Sequence, residues 1–163
     1  MSGKILMVIA KRDFQEKEYG MPKSIFEKAD FEVVTAAEEK GVATNKAGGK
    51  TTVDISLNDV NIRDFEAIVF VGGPGATAYF EHEKVLSLVK EANQEGKLIA
   101  AICIAPTILA NAGILNGKNA TAFSTEEDSL RRGGANFTAA PLETDGKIIT
   151  ASGPEAAEVF AKA

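Results

Sequence analysis

The stretch Leu98-Ile99-Ala100-Ala101-Ile102-Cys103-Ile104-Ala105-Pro106-Thr107 constrains the fold of this chain more than any other. Its first five residues form a continuous apolar run of strand length, as a strand covered on both faces requires. Pro106 suits the first turn of a helix, where a missing N–H costs nothing. A covered strand that passes straight into a helix belongs to a layered α/β sandwich, and Cys103, the only cysteine, stands at the corner.

The rest of the chain repeats this alternation. Ile5 to Ala10 reads as a central parallel strand, Met21, Ile25, Phe26 and Ala29 fall at helical spacing, and Phe31 to Ala36 resumes a strand. Pro22 belongs in the first turn of that helix or kinks it. Gly48-Gly49 marks a hairpin excursion within 41–56, and 59–64 reads as a loop with a helical turn. Ala67 to Val71 is the next buried strand, ending in Gly72-Gly73-Pro74-Gly75, and Val85, Leu86, Leu88, Val89 and Ala92 mark an amphipathic helix over 83–95. After the Cys103 helix, which ends near Gly113, a short strand is expected at Ala120–Phe123. Ser124-x-x-Glu127 reads as a capping box for a helix reaching Arg132. Phe137–Leu142 and Lys147–Ala151 flank Thr144-Asp145-Gly146 as a hairpin, and Ser152-Gly153-Pro154 opens a last helix.

Composition narrows the classes of function. A length of 163 residues with 45% hydrophobic content fits one domain over 1–163. A net charge of −5 without a basic cluster argues against nucleic-acid and membrane-surface partners. No signal peptide or membrane span is read, and a lone cysteine excludes an intramolecular disulfide, so the cytoplasm is the expected compartment. The single histidine, His82, leaves no histidine-rich metal site, and neither metal nor cofactor is expected.

Parallel α/β sheets place their sites at the carboxyl ends of the strands. Here those ends, at Ala10, Val71 and Ile102, carry the charged segment Lys11–Tyr19, the glycine loop and Cys103. A helix N-terminus favours thiolate, whereas a free cysteine elsewhere is commonly an apolar filler, so position alone leaves both roles open.

These residues resemble the ThiJ/PfpI superfamily, which includes protein deglycases, intracellular peptidases, glyoxalases and isocyanide hydratases. Ala100-Ala101-Ile102-Cys103-x-x-Pro106, followed by Leu109-Ala110 and Gly113, is similar to the family's nucleophile elbow. Val71-Gly72-Gly73 resembles its glycine loop, and Glu18 lies four residues before Pro22, the family's spacing for its acidic partner. The resemblance spans essentially the whole chain. It implies a flavodoxin-like three-layer α/β sandwich with a mainly parallel sheet, and a homodimer or higher homo-oligomer. It further implies Cys103 as nucleophile, Glu18 beside it, and an oxyanion and substrate pocket built on Gly72, Gly73 and Ile104. A shared proton would then raise the Glu18 pKa and lower that of Cys103.

The chain departs from the family at informative places. Ile104 stands where PfpI-type peptidases carry histidine after the cysteine, and Phe123, a candidate pocket wall, stands where the deglycase branch carries its histidine. Ser152 replaces an arginine of that branch, and His82 reads as a rim or surface residue. The expectation is therefore glyoxalase- or deglycase-like chemistry on small α-oxoaldehydes or their adducts through a Glu18–Cys103 dyad. The alternatives are a non-catalytic redox sensor or chaperone-like protein, and a PfpI-type peptidase or isocyanide hydratase-like enzyme.

Overall fold

A computed structural model describes residues 3–162 of the chain. In chain order the strands are β1 (Lys4–Val8), β2 (Arg12–Phe14), β3 (Glu32–Ala37), β4 (Gly41–Asn45), β5 (Lys50–Val53), β6 (Ile55–Ser56), β7 (Ala67–Phe70), β8 (Leu98–Ile102), β9 (Asn119–Ala120), β10 (Asn136–Phe137), β11 (Leu142–Asp145) and β12 (Ile148–Ala151). The α-helices are α1 (Glu16–Lys28), α2 (Glu83–Gln94), α3 (Pro106–Asn111), α4 (Glu127–Arg132) and α5 (Ala157–Lys162).

Seven strands form the main sheet in the order β11-β12-β8-β7-β1-β3-β6. Every pairing in it is parallel except β11 with β12. Strands β7 and β12 are buried at every position and β1 and β8 at all but their first residue, as central parallel strands between two helical layers must be. Helices α1 and α5 pack together in one layer, and α2, α3 and α4 form the other. The apolar runs call for an α/β sandwich, and the layers and strand order are those of the flavodoxin-like three-layer sandwich that the resemblance implies. Because β8, β7 and β1 are neighbours, their carboxyl ends lie side by side and bring Cys103, Gly72 and the start of α1 to one place.

The excursion at Gly48-Gly49 is a hairpin of β4 and β5, and β2 joins it in parallel as a small separate sheet. Helix α1 runs through Pro22, which sits beyond the first turn and leaves the Glu18 carbonyl without its helical donor.

Three local expectations are corrected. The strand expected at Ala120–Phe123 ends at Ala120, because Thr121 N–H turns to the Thr150 hydroxyl and Phe123 N–H to the Cys103 carbonyl. The capping box does not form: Ser124–Glu126 is a 3₁₀ turn without a side-chain cap, and Glu127 pairs forward with Arg131 at 2.8 Å. Phe137–Leu142 is not one strand, since Phe137 belongs to β10 and Ala139 adopts φ +58°, which breaks the extended run before Leu142.

Tyr79, from the turn after the glycine loop, donates its hydroxyl to the Ile9 carbonyl at 2.7 Å in the core. Tyr79→Phe leaves that carbonyl unpaired and is expected to cost about 1–3 kcal/mol, read as a lower urea midpoint.

Candidate active site

Cys103 follows the last residue of β8 and takes φ +65°, a left-handed conformation that costs a non-glycine residue about 1–3 kcal/mol. Its backbone is held on both sides: its N–H donates to the Ala151 carbonyl at 2.9 Å, and its carbonyl accepts from Phe123 N–H at 2.8 Å. The sharp turn lifts the side chain off the sheet, where it is half-buried. The backbone N–H groups of Ile104 and Gly73 act on its sulfur in the sense that favours the thiolate.

Glu18 comes from the first turn of α1 and is fully buried. Its Oε1 accepts from Gly72 N–H at 3.0 Å, and its carboxyl faces the Cys103 thiol. The Oε2 atom is buried with no hydrogen-bond partner among the described residues.

Gly72 explains how the two groups come together. A Cβ there would sit 2.5 Å from Glu18 Oε1 and 2.7 Å from both Cys103 Cβ and the Ile102 carbonyl oxygen. The absent side chain is the space the dyad occupies. The N–H of Gly72, read from the sequence as part of the oxyanion and substrate pocket, donates to Glu18, while the N–H groups that favour a thiolate are those of Gly73 and Ile104, the two that the resemblance implies as oxyanion donors.

Burial raises the Glu18 carboxyl from its ordinary 4.5 to about 7, against the opposing effects of the Gly72 N–H, Cys103 and the charge of Lys46. For Cys103 the expectation is reversed. Burial and then the Glu18 charge push the thiol up to about 12, outweighing the N–H donors of Ile104 and Gly73. Protonation of Glu18 removes the charge that opposes the thiolate, so the pair holds one negative charge more readily than two.

Phe123 is joined to the elbow through its backbone, and the residue is 42% exposed. His82 is not part of the site: its Nδ1 accepts from Val85 N–H as the N-cap of α2, and its ring packs edge-on against Tyr79. Lys46, whose charge lowers the Glu18 pKa, and Glu155, whose charge raises it, were missed by sequence reasoning. No spacing along the chain links either of them to Glu18; the fold alone brings their charges to bear on it.

A cavity of about 840 Å³ opens at the amino ends of the strands, between Ile5, Phe26, Val69, Ala100, Ile149 and Phe160, away from the dyad. Among the described residues no cluster of three or more metal-ligating side chains occurs, and no helix is long and apolar enough to cross a membrane.

Known proteins are similar to this chain in sequence and fold. An uncharacterized protein of Methanocaldococcus jannaschii is 39% identical over 162 residues, covering 98% of this chain and 79% of that protein. A deglycase of Pyrococcus horikoshii is 30% identical over 151 residues, covering 93% of this chain and 90% of its own. The crystal structure of a ThiJ/PfpI domain protein from Brachyspira murdochii superposes with a TM-score of 0.95 at 34% identity, covering 98% of this chain and 92% of that one. The DJ-1/PfpI family pattern matches residues 3–163, and the chain belongs to the DJ-1/PfpI family.

Proposed function

We propose that the protein carries out stress-related, DJ-1-like cysteine chemistry, adding the Cys103 thiol to the aldehyde carbon of a small α-oxoaldehyde or of its adducts. The observation that carries this reading is the buried Glu18 carboxyl set against a thiol at a strained elbow. The deglycase name of the Pyrococcus relative supports the substrate class.

In the addition step the sulfur–carbon bond forms and the carbonyl π pair moves to oxygen. Glu18 takes the thiol proton and returns it to that oxygen, giving a hemithioacetal. The N–H groups of Gly73 and Ile104 are the fixed donors for the charge that develops. Ionised Glu18 can next remove the hydrogen of the hemithioacetal carbon. Its electron pair forms an enediol with the adjacent carbonyl, and reprotonation of that neighbouring carbon leaves a thioester. Water then releases the 2-hydroxy acid and the thiol; the aldehyde carbon is oxidised as its neighbour is reduced, so no outside oxidant is consumed.

A carboxyl at about 7 is well matched to moving protons in both directions near neutrality. Because the base form is required, kcat/KM is expected to rise with pH through about 7.

The test is disappearance of methylglyoxal with purified protein. Turnover in the wild type and background in Cys103→Ser supports the reading; equal rates in the two remove it.

A further inference from the structure

A left-handed, non-glycine nucleophile persists only where its surroundings over-determine it. Besides the two bonds made by the Cys103 backbone, the structure contains a third restraint. Thr107, 2% exposed in the first turn of α3, donates its hydroxyl to Glu126 Oε1 at 2.7 Å. The other oxygen, Oε2, accepts from the Thr125 hydroxyl at 2.9 Å. Glu126 N–H donates to the Phe123 carbonyl at 2.8 Å, and Phe123 N–H donates to the Cys103 carbonyl at 2.8 Å. The path from Cys103 through α3 to Thr107, Glu126, Phe123 and back to Cys103 is thus a closed ring. It fastens the helix leaving the elbow to the loop that holds the elbow's own carbonyl.

We propose that Glu126, acting through Thr107, is a positioning residue for Cys103: the clamp keeps the elbow in its left-handed turn and so keeps the sulfur against the N–H groups of Gly73 and Ile104. Neither residue touches the sulfur or the Glu18 carboxyl in the contacts described, and the chemistry stays with the dyad. The inference rests on the reading of Cys103 as nucleophile. Its test uses alkylation of the thiol, which reports sulfur positioning whether or not an α-oxoaldehyde is the substrate.

The experiment measures the second-order rate of Cys103 alkylation by iodoacetamide at pH 8.5 in the full chain, alongside thermal melting. Thr107→Val keeps the shape and removes the donor, and Glu126→Ala removes the acceptor in a part-exposed loop. Each is expected to slow alkylation about tenfold, the scale of a lost charge-assisted hydrogen bond. Thr107→Ser and Glu126→Gln, which preserve a donor and an acceptor, are expected to remain within about twofold of wild type. Should Thr107→Val fail to fold, Glu126→Ala and its glutamine rescue decide the matter. Wild-type or faster alkylation in the clamp-breaking variants overturns the proposal, and a lower melting temperature with unchanged alkylation reduces the clamp to a structural tie. Loss of alkylation control with methylglyoxal turnover absent throughout would leave the clamp standing and remove the substrate reading.

Discussion

Glu18→Gln is expected to lower turnover of an α-oxoaldehyde by about 100- to 10,000-fold, the contribution of a positioned acid–base group, and at the same time to stabilise the protein above neutral pH. The two effects share one cause. Glutamine keeps an oxygen to accept the Gly72 N–H and nearly the same shape, but it cannot ionise. In the wild type the folded-state carboxyl is raised from 4.5 to about 7 by burial, so the folded chain binds the proton more tightly than the unfolded one. That group's favourable contribution is complete below pH 4.5, declines as pH rises, and is lost above about 7. A displacement of this size corresponds to about 3 kcal/mol between the two ends of the window. Thermal melting from pH 4 to pH 9 should show the wild type losing stability across the window and the glutamine variant holding flat relative to it. Parallel curves for the two proteins would assign the pH dependence to other groups. Activity and stability of the wild type therefore run in opposite directions through neutrality, because the ionised carboxyl that the reaction needs is the form that burial penalises.

The second large effect is at the glycine loop. Gly73→Ala is expected to cost about 3–5 kcal/mol and to slow Cys103 alkylation, because two independent penalties meet there. Gly73 adopts φ 104° and ψ 162°, a region essentially confined to glycine. A Cβ would also approach the backbone of Asp13 to Gln15, 2.5 Å from Gln15 N and 2.7 Å from the Asp13 carbonyl oxygen. Backbone cannot swing aside as a side-chain tip can, so the loop has to shift and carry its N–H donor away from the sulfur. Gly48→Ala is the control: φ is +93° there but no atom lies within 4 Å, so only the conformational penalty of about 1–2 kcal/mol applies. Urea midpoints of the two variants separate steric exclusion from backbone preference, and equal losses would refute the contribution of the close approach.

Much of the architecture was legible in the sequence because buried parallel strands must be continuously apolar. Leu98–Ile102 is bounded as read, and Ala67 and Glu83 begin their elements as read. The errors fall where a backbone group left its ladder for a side chain or for the elbow. Thr121 and Phe123 could extend β9 by composition, yet their N–H groups are taken by Thr150 and Cys103. Ser124 and Glu127 have capping-box spacing, but the carboxylate found Arg131. Such choices are settled by what stands opposite a residue in space, which spacing along the chain does not encode.

The site divides in the same way. By itself the sequence determined the strand–helix corner at Cys103 and, through resemblance, the family histidine missing at Ile104 and Phe123 and the pairing of Glu18 with Cys103. Only the tertiary structure decided the electrostatics: burial of the dyad beneath the glycine loop raises both groups, so the thiol expected to be lowered is pushed up. It also assigned the Gly72 N–H to Glu18 and disclosed the Thr107–Glu126 clamp. The physical reason is that apolar periodicity records which side of an element meets the core, whereas desolvation and hydrogen-bond partnership depend on the groups that distant segments bring within a few ångströms of one another.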